Sequence, residues 1–165
     1  MNIRIRRAVT AIGISVIAVG GAGVAVAPAS AEKPAMLDIS GDLAIAPGVH
    51  LLHIEAHGDR TKSGETSGTY VATVMDGRNR LPVQVKGPVT CIYTKGDTGS
   101  LIYPIDATSP DLVPAGLKGA YAVQITVRKG TPDMVGVMGP MATSSFHGCE
   151  PGTTPFTFDG KIGLD

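Results

Sequence analysis

The chain has 165 residues, with 14 Lys and Arg against 14 Asp and Glu, 22 Gly, 12 Pro, two Cys and no Trp. The even charge leaves no basic surface of the kind that carries nucleic-acid binding. With four Tyr and three Phe, stacking on sugars or bases has little to work with.

Arg4, Arg6 and Arg7 open the chain, residues 8–26 are apolar and uncharged, and Ala29-Ser30-Ala31 follows as a small-x-small cleavage site. This is the pattern of an export signal. Residues 1–31 are therefore expected as a signal peptide, with the mature chain starting at Glu32 and working outside the cell. A retained anchor would need about 20 apolar residues in a stable helix. Gly13, Gly20, Gly21 and Gly23 interrupt this run, so no stable membrane insertion is expected after cleavage. The Arg6-Arg7 pair leaves twin-arginine export open beside the general route. No Cys follows the apolar run to accept a lipid. Without the signal, 11 basic residues face 14 acidic ones, a net charge of −3. The remaining length, about 134 residues, is that of one domain.

Residues 32–42 read as a flexible leader, with Pro34 and no apolar period, and residues 43–165 as a β domain. Residues 49–57 alternate: Leu52, Ile54 and Ala56 share one face, and Leu51, His53, Glu55 and His57 share the other, with His50 pointing away from His53. Residues 58–68 form a polar loop. Residues 69–75 are rich in β-formers and end at the turn signal Asp76-Gly77. Leu81, Val83 and Val85 begin a strand that Gly87-Pro88 interrupts as a bulge or edge kink, and Val89, Cys91 and Tyr93 resume it. Gly96-Asp97 turns the chain into a strand over residues 100–105. A long loop over residues 106–119 carries Pro110 and Pro114. Tyr121, Val123, Ile125 and Val127 then alternate with Ala122, Gln124, Thr126 and Arg128 in the clearest strand. Short strands at residues 134–138 and around Phe156 and Phe158 close the chain. The pattern predicts an all-β single domain, a sandwich or small partly closed barrel of seven or eight short antiparallel strands.

Cys91 and Cys149 are an even pair in an oxidising compartment, which predicts a disulfide between a strand and a distant loop. Gly68-Thr69-Tyr70, then Gly87-Pro88-Val89-Thr90-Cys91, Gly130-Thr131-Pro132-Asp133, a late Cys and Phe156-Thr157-Phe158 together form a further pattern. It resembles small exported β-rich proteins of high-GC Gram-positive (actinobacterial) bacteria that have no assigned function. The resemblance spans most of residues 68–158. It implies a single secreted β domain with its Cys pair at these positions, and no activity.

Several constellations are candidates for chemistry. His53, Glu55 and His57 share a strand face about 6.6–7 Å apart. Neighbours among them would share a metal only with a ligand from an adjacent strand, and a solvated polar face explains them equally. Met134, Met138, Met141 and His147 are donors of the kind soft metals take, though Met is also core filler. Asp97, Asp106 and Asp111 fit no calcium-loop spacing. Glu55, Asp59, Glu65 and Asp76 are the carboxylates available for a glycosidase-like pair. No Gly-x-Ser-x-Gly, His-Glu-x-x-His, P-loop or dinucleotide motif occurs, so no cofactor is expected. The function expected is an exported, non-catalytic β domain that binds an extracellular or cell-envelope partner through its 58–68 and 106–119 loops. The alternatives are a carrier with an apolar ligand inside a barrel, or a metal- or carboxylate-dependent enzyme.

Overall fold

The computed structural model describes residues 33–165; the basic start, apolar run and cleavage site of the expected signal peptide lie outside the described residues. Ten strands follow in chain order: β1 (Ala35–Ala46), β2 (Val49–Arg60), β3 (Thr66–Asp76), β4 (Asn79–Pro88), β5 (Cys91–Lys95), β6 (Thr98–Pro104), β7 (Ala107–Ser109), β8 (Tyr121–Arg128), β9 (Asp133–Ala142) and β10 (Phe156–Leu164). They form one antiparallel sheet in the order β5-β6-β8-β9-β10-β1-β2-β3-β4-β7. The all-β class follows from the turn-rich alternating pattern. Among the described residues the strands number ten, however, and the sheet ends in β5 and β7 without closing into a barrel.

Two elements depart from the sequence reading. Residues 35–42, expected as a leader, are instead most of β1, which pairs with β10 on one side and β2 on the other. Alternation already begins at Ala35: Leu37, Ile39 and Leu43 are buried, with Met36, Asp38 and Asp42 between them half-buried. Acidic residues and Gly41 dilute the β signal here, and burial between two long strands supplies what propensity lacks.

The strand expected over residues 81–93 is also two strands. Between β4 and β5 stand only Val89 and Thr90, yet the two lie near opposite ends of the sheet order. Three Cα steps span about 11 Å at most, so the sheet has to curl enough to bring the end of β4 to the start of β5. The Val89 N–H donates to the Gly68 carbonyl of β3 (3.0 Å) and the Thr90 N–H to the Ile102 carbonyl of β6 (2.9 Å). Gly87 permits this approach, because a Cβ there would stand 1.9 Å from the Pro104 carbonyl oxygen.

The inside of the curled sheet is filled by side chains from both halves, among them Leu37, Ile54, Tyr70, Ile92, Leu101, Ile125 and Val135. Each such burial contributes about 1.5–3 kcal/mol. Cys91 on β5 and Cys149 are joined by a disulfide, Cα to Cα 5.9 Å, across 58 positions of sequence. That bond pins the segment after Cys149 over the outer face of β8. Gln124 Nε2 donates to Ser100 Oγ (2.8 Å) and the Glu150 carbonyl (2.6 Å), and the Gly152 N–H donates to Thr126 Oγ1 (2.9 Å). Both faces of β8 are thereby buried.

Candidate functional site

The outward face of β1 and β2 carries a ladder of histidines and carboxylates. Pairing sets Asp38 opposite His57, Ser40 opposite Glu55 and Asp42 opposite His53. Leu43 then pairs with Leu52, but Ala44 pairs with His50, so Leu51 is an extra residue in β2. A bulge of this kind inverts the side-chain parity beyond it. His50, expected to point away, therefore joins His53 on one carboxylate: Asp42 Oδ2 lies 3.0 Å from His50 Nδ1, and Asp42 Oδ1 lies 2.5 Å from His53 Nδ1. Partial burial alone would raise the Asp42 pKa. The hydrogen bonds from His53 and His50, with their charges, outweigh it and hold the carboxyl below its ordinary value.

His57 is half-exposed and bridges two carboxylates, with Nδ1 2.5 Å from Asp38 Oδ1 and Nε2 2.7 Å from Asp59 Oδ2. The Asp38 hydrogen bond, foremost, raises its pKa against a smaller opposing effect of burial, and Asp59 adds to the rise. His53 differs sharply from the solvated residue that alternation predicts: it is only 7% exposed. Arg80 of β4 reaches across β3 to place Nη2 2.7 Å from His53 Nε2, and Glu55 Oε1 lies 3.2 Å from the same nitrogen.

The sequence candidates are thus dispersed. Among the described residues no group of three His, Cys, Asp or Glu side chains converges as a metal cage requires. His53 belongs to Asp42 and Arg80, His57 to Asp38 and Asp59, and Glu55 stands between them. Met134 and Met138 are both on β9, about 13 Å apart along the strand, and His147 is exposed in the loop beyond it. Asp97 turns β5 into β6, a strand's length from Asp106 and Asp111, which flank β7. Glu55 and Asp59 are likewise about 13 Å apart on β2, beyond the roughly 5–9.5 Å of a glycosidase pair. Glu65 lies in the turn after β2, and Asp76 at the far end of β3.

A second feature is apolar. The 58–68 loop is mostly ladder, because β2 runs to Arg60 and β3 starts at Thr66. The 106–119 loop, by contrast, is tied down without being turned inward. Thr108 Oγ1 donates to the Pro110 carbonyl and accepts from the Leu112 N–H, both at 2.9 Å. The Gly119 N–H donates to the Ile105 carbonyl (2.8 Å), and Thr143 Oγ1 to the Gly119 carbonyl (2.6 Å). The result is a groove of about 380 Å³ walled by Ile105, Leu112, Val113, Pro114, Leu117 and Tyr121. Leu112 is 74% exposed, Leu117 48% and Tyr121 50%. Leu112 and Leu117 follow no period and sit in a Pro- and Gly-rich stretch, and alternation groups Tyr121 with Val123 and Ile125, so only the fold reveals that the three gather.

No family model matches the chain, and neither a curated protein nor a solved structure matches it.

Proposed function

We propose that the protein is an exported, non-catalytic β domain that binds the apolar side chains of an extracellular or cell-envelope partner protein in the 106–119 groove. One observation carries this reading: a loop fastened by hydrogen bonds holds Leu112 and Leu117 out beside Tyr121, the first residue of β8, around one groove. Apolar side chains gathered at a soluble surface mark interaction sites. The N-terminal export pattern supports a partner outside the cell, and a disulfide is compatible with that compartment.

A carrier with its ligand inside the sheet has less support, because that space is taken by Leu37, Ile54, Leu101, Ile125 and their neighbours. Catalysis also has less. The hydrogen bonds recorded for His50, His53 and His57 run to carboxylates and to Arg80, not to a hydroxyl or thiol nucleophile.

The test is a photo-crosslinking residue at position 112, with one at Lys62 as a distant control, exposed to the host's medium and envelope fraction. An adduct is expected from position 112 and not from position 62. The double variant Leu112→Asp with Leu117→Asp should melt like the wild type and lose competition for that adduct. A double variant that competes as well as the wild type overturns the reading.

A further inference from the structure

His53 Nε2 has two neighbours that require opposite protonation states. Nδ1 lies 2.5 Å from Asp42 Oδ1, an oxygen that only accepts, so Nδ1 carries the proton and neutral His53 has its lone pair on Nε2. Arg80 Nη2, 2.7 Å away, is a donor and satisfies that lone pair. Glu55 Oε1, 3.2 Å away, is an acceptor and has no hydrogen to share with it. Protonation reverses both relations. An N–H at Nε2 faces Glu55 productively, and the imidazolium stands against a guanidinium.

We propose that His53 is a proton-driven latch: neutral, it holds Arg80 on the outer face of the sheet; protonated, it releases Arg80 and takes Glu55. The balance is simple. Nε2 takes one proton from solvent, the Arg80 N–H···Nε2 bond breaks, and an Nε2–H···Oε1 bond to Glu55 forms. Arg80 keeps its charge throughout and turns away from Nε2 toward water, keeping only its longer ion pair with Glu55, Nη1 to Oε1 3.9 Å. It has room to do so, since the Arg80 and Glu55 side chains are each 55% exposed while His53 is buried between them.

The charged and titratable groups on every strand around His53 are few. Asp42 comes from β1, His50 and Glu55 from β2, and Arg80 from β4, while β3 offers only Thr73 opposite it. Asp159 of β10 pairs with Asp42 one strand further on. Asp42 is shared with His50 in both states, so the choice at Nε2 is between Arg80 and Glu55. Release leaves Arg80, at the start of β4, with only that longer ion pair, where Leu81 and Val83 are already exposed beside a register irregularity against β3. The latch does not depend on the 106–119 groove.

Nitrogen-detected imidazole correlations on labelled protein between pH 8 and 4.5 test this directly. At pH 8 the wild type should show His53 protonated at Nδ1 and bare at Nε2. Its midpoint should rise by about half to one pH unit in Arg80→Met, which removes a cation and a competing donor, and fall by a similar amount in Glu55→Gln. Both changes are at half-exposed side chains, and the wild-type tautomer needs no variant at all. His57, in the same spectra, should keep its midpoint in Arg80→Met. Amide exchange over residues 80–83 should quicken as His53 titrates. An Nε2–H tautomer at pH 8 overturns the latch, as does a midpoint that the two variants leave unmoved or move in the same direction.

Discussion

Asp42 shows how much one side chain can hold when a bulge doubles its partners. It accepts from His50 and from buried His53 together. Asp42→Asn should cost about 1.5–3 kcal/mol at pH 7, the usual worth of hydrogen bonds to a charged group, read from urea unfolding. Because the folded-state pKa of Asp42 lies below its ordinary 3.8, its contribution is present above that value and lost as pH falls through the folded one. The gap between wild type and variant should therefore shrink in acid. His57 has the opposite slope. Its pKa is raised above 6.5, so its contribution is complete below pH 6.5 and lost as pH rises through the folded value. Half-exposure and solvent screening keep that contribution within about 1 kcal/mol. NMR titration should place the His57 midpoint above 6.5, and Asp38→Asn should lower it. The face that alternation assigned to His53, Glu55 and His57 was legible in the sequence. The burial of His53 was not, because Arg80 covers it from two strands away.

Among the elements, β8 could be read directly: Val123, Ile125 and Val127 alternate without interruption. β1 could not, since Asp38, Ser40, Gly41 and Asp42 resemble a solvated leader until β10 and β2 flank them. Gly87-Pro88 was visible as an interruption, but a bulge and a crossing look alike in one chain. What distinguishes them is the backbone of β6 lying against Gly87. Gly87→Ala should therefore destabilise by about 1–3 kcal/mol, as forced contacts in packed regions do. Gly116→Ala, where a Cβ would meet nothing within 4 Å, should stay within about 0.5 kcal/mol. Paired thermal melts give both values, and equal melting temperatures for the two variants would remove the close approach as the reason for the glycine.

For the whole molecule, the disulfide ties an edge strand to the cover of β8. Replacing both cysteines with serine should lower stability by about 2–5 kcal/mol, measured by urea unfolding. Gln124 and Thr126 should then exchange their amide protons faster, because the segment that covers them is no longer pinned. Unchanged exchange would mean that the hydrogen bonds at Glu150 and Gly152 hold the cover alone.

Period-two alternation and turn residues, both local properties, were enough to determine an all-β chain with strands at residues 49–57, 69–75, 100–105 and 121–128. The cysteine count and its expected compartment pointed to the bond that forms. Non-local contacts decided the rest. A two-residue link between distant places in the sheet order makes the sheet curl, an inserted Leu51 turns two histidines onto one aspartate, and a loop with no period gathers an apolar groove. Each depends on which backbone lies beside which, and a single strand's pattern does not contain its neighbour.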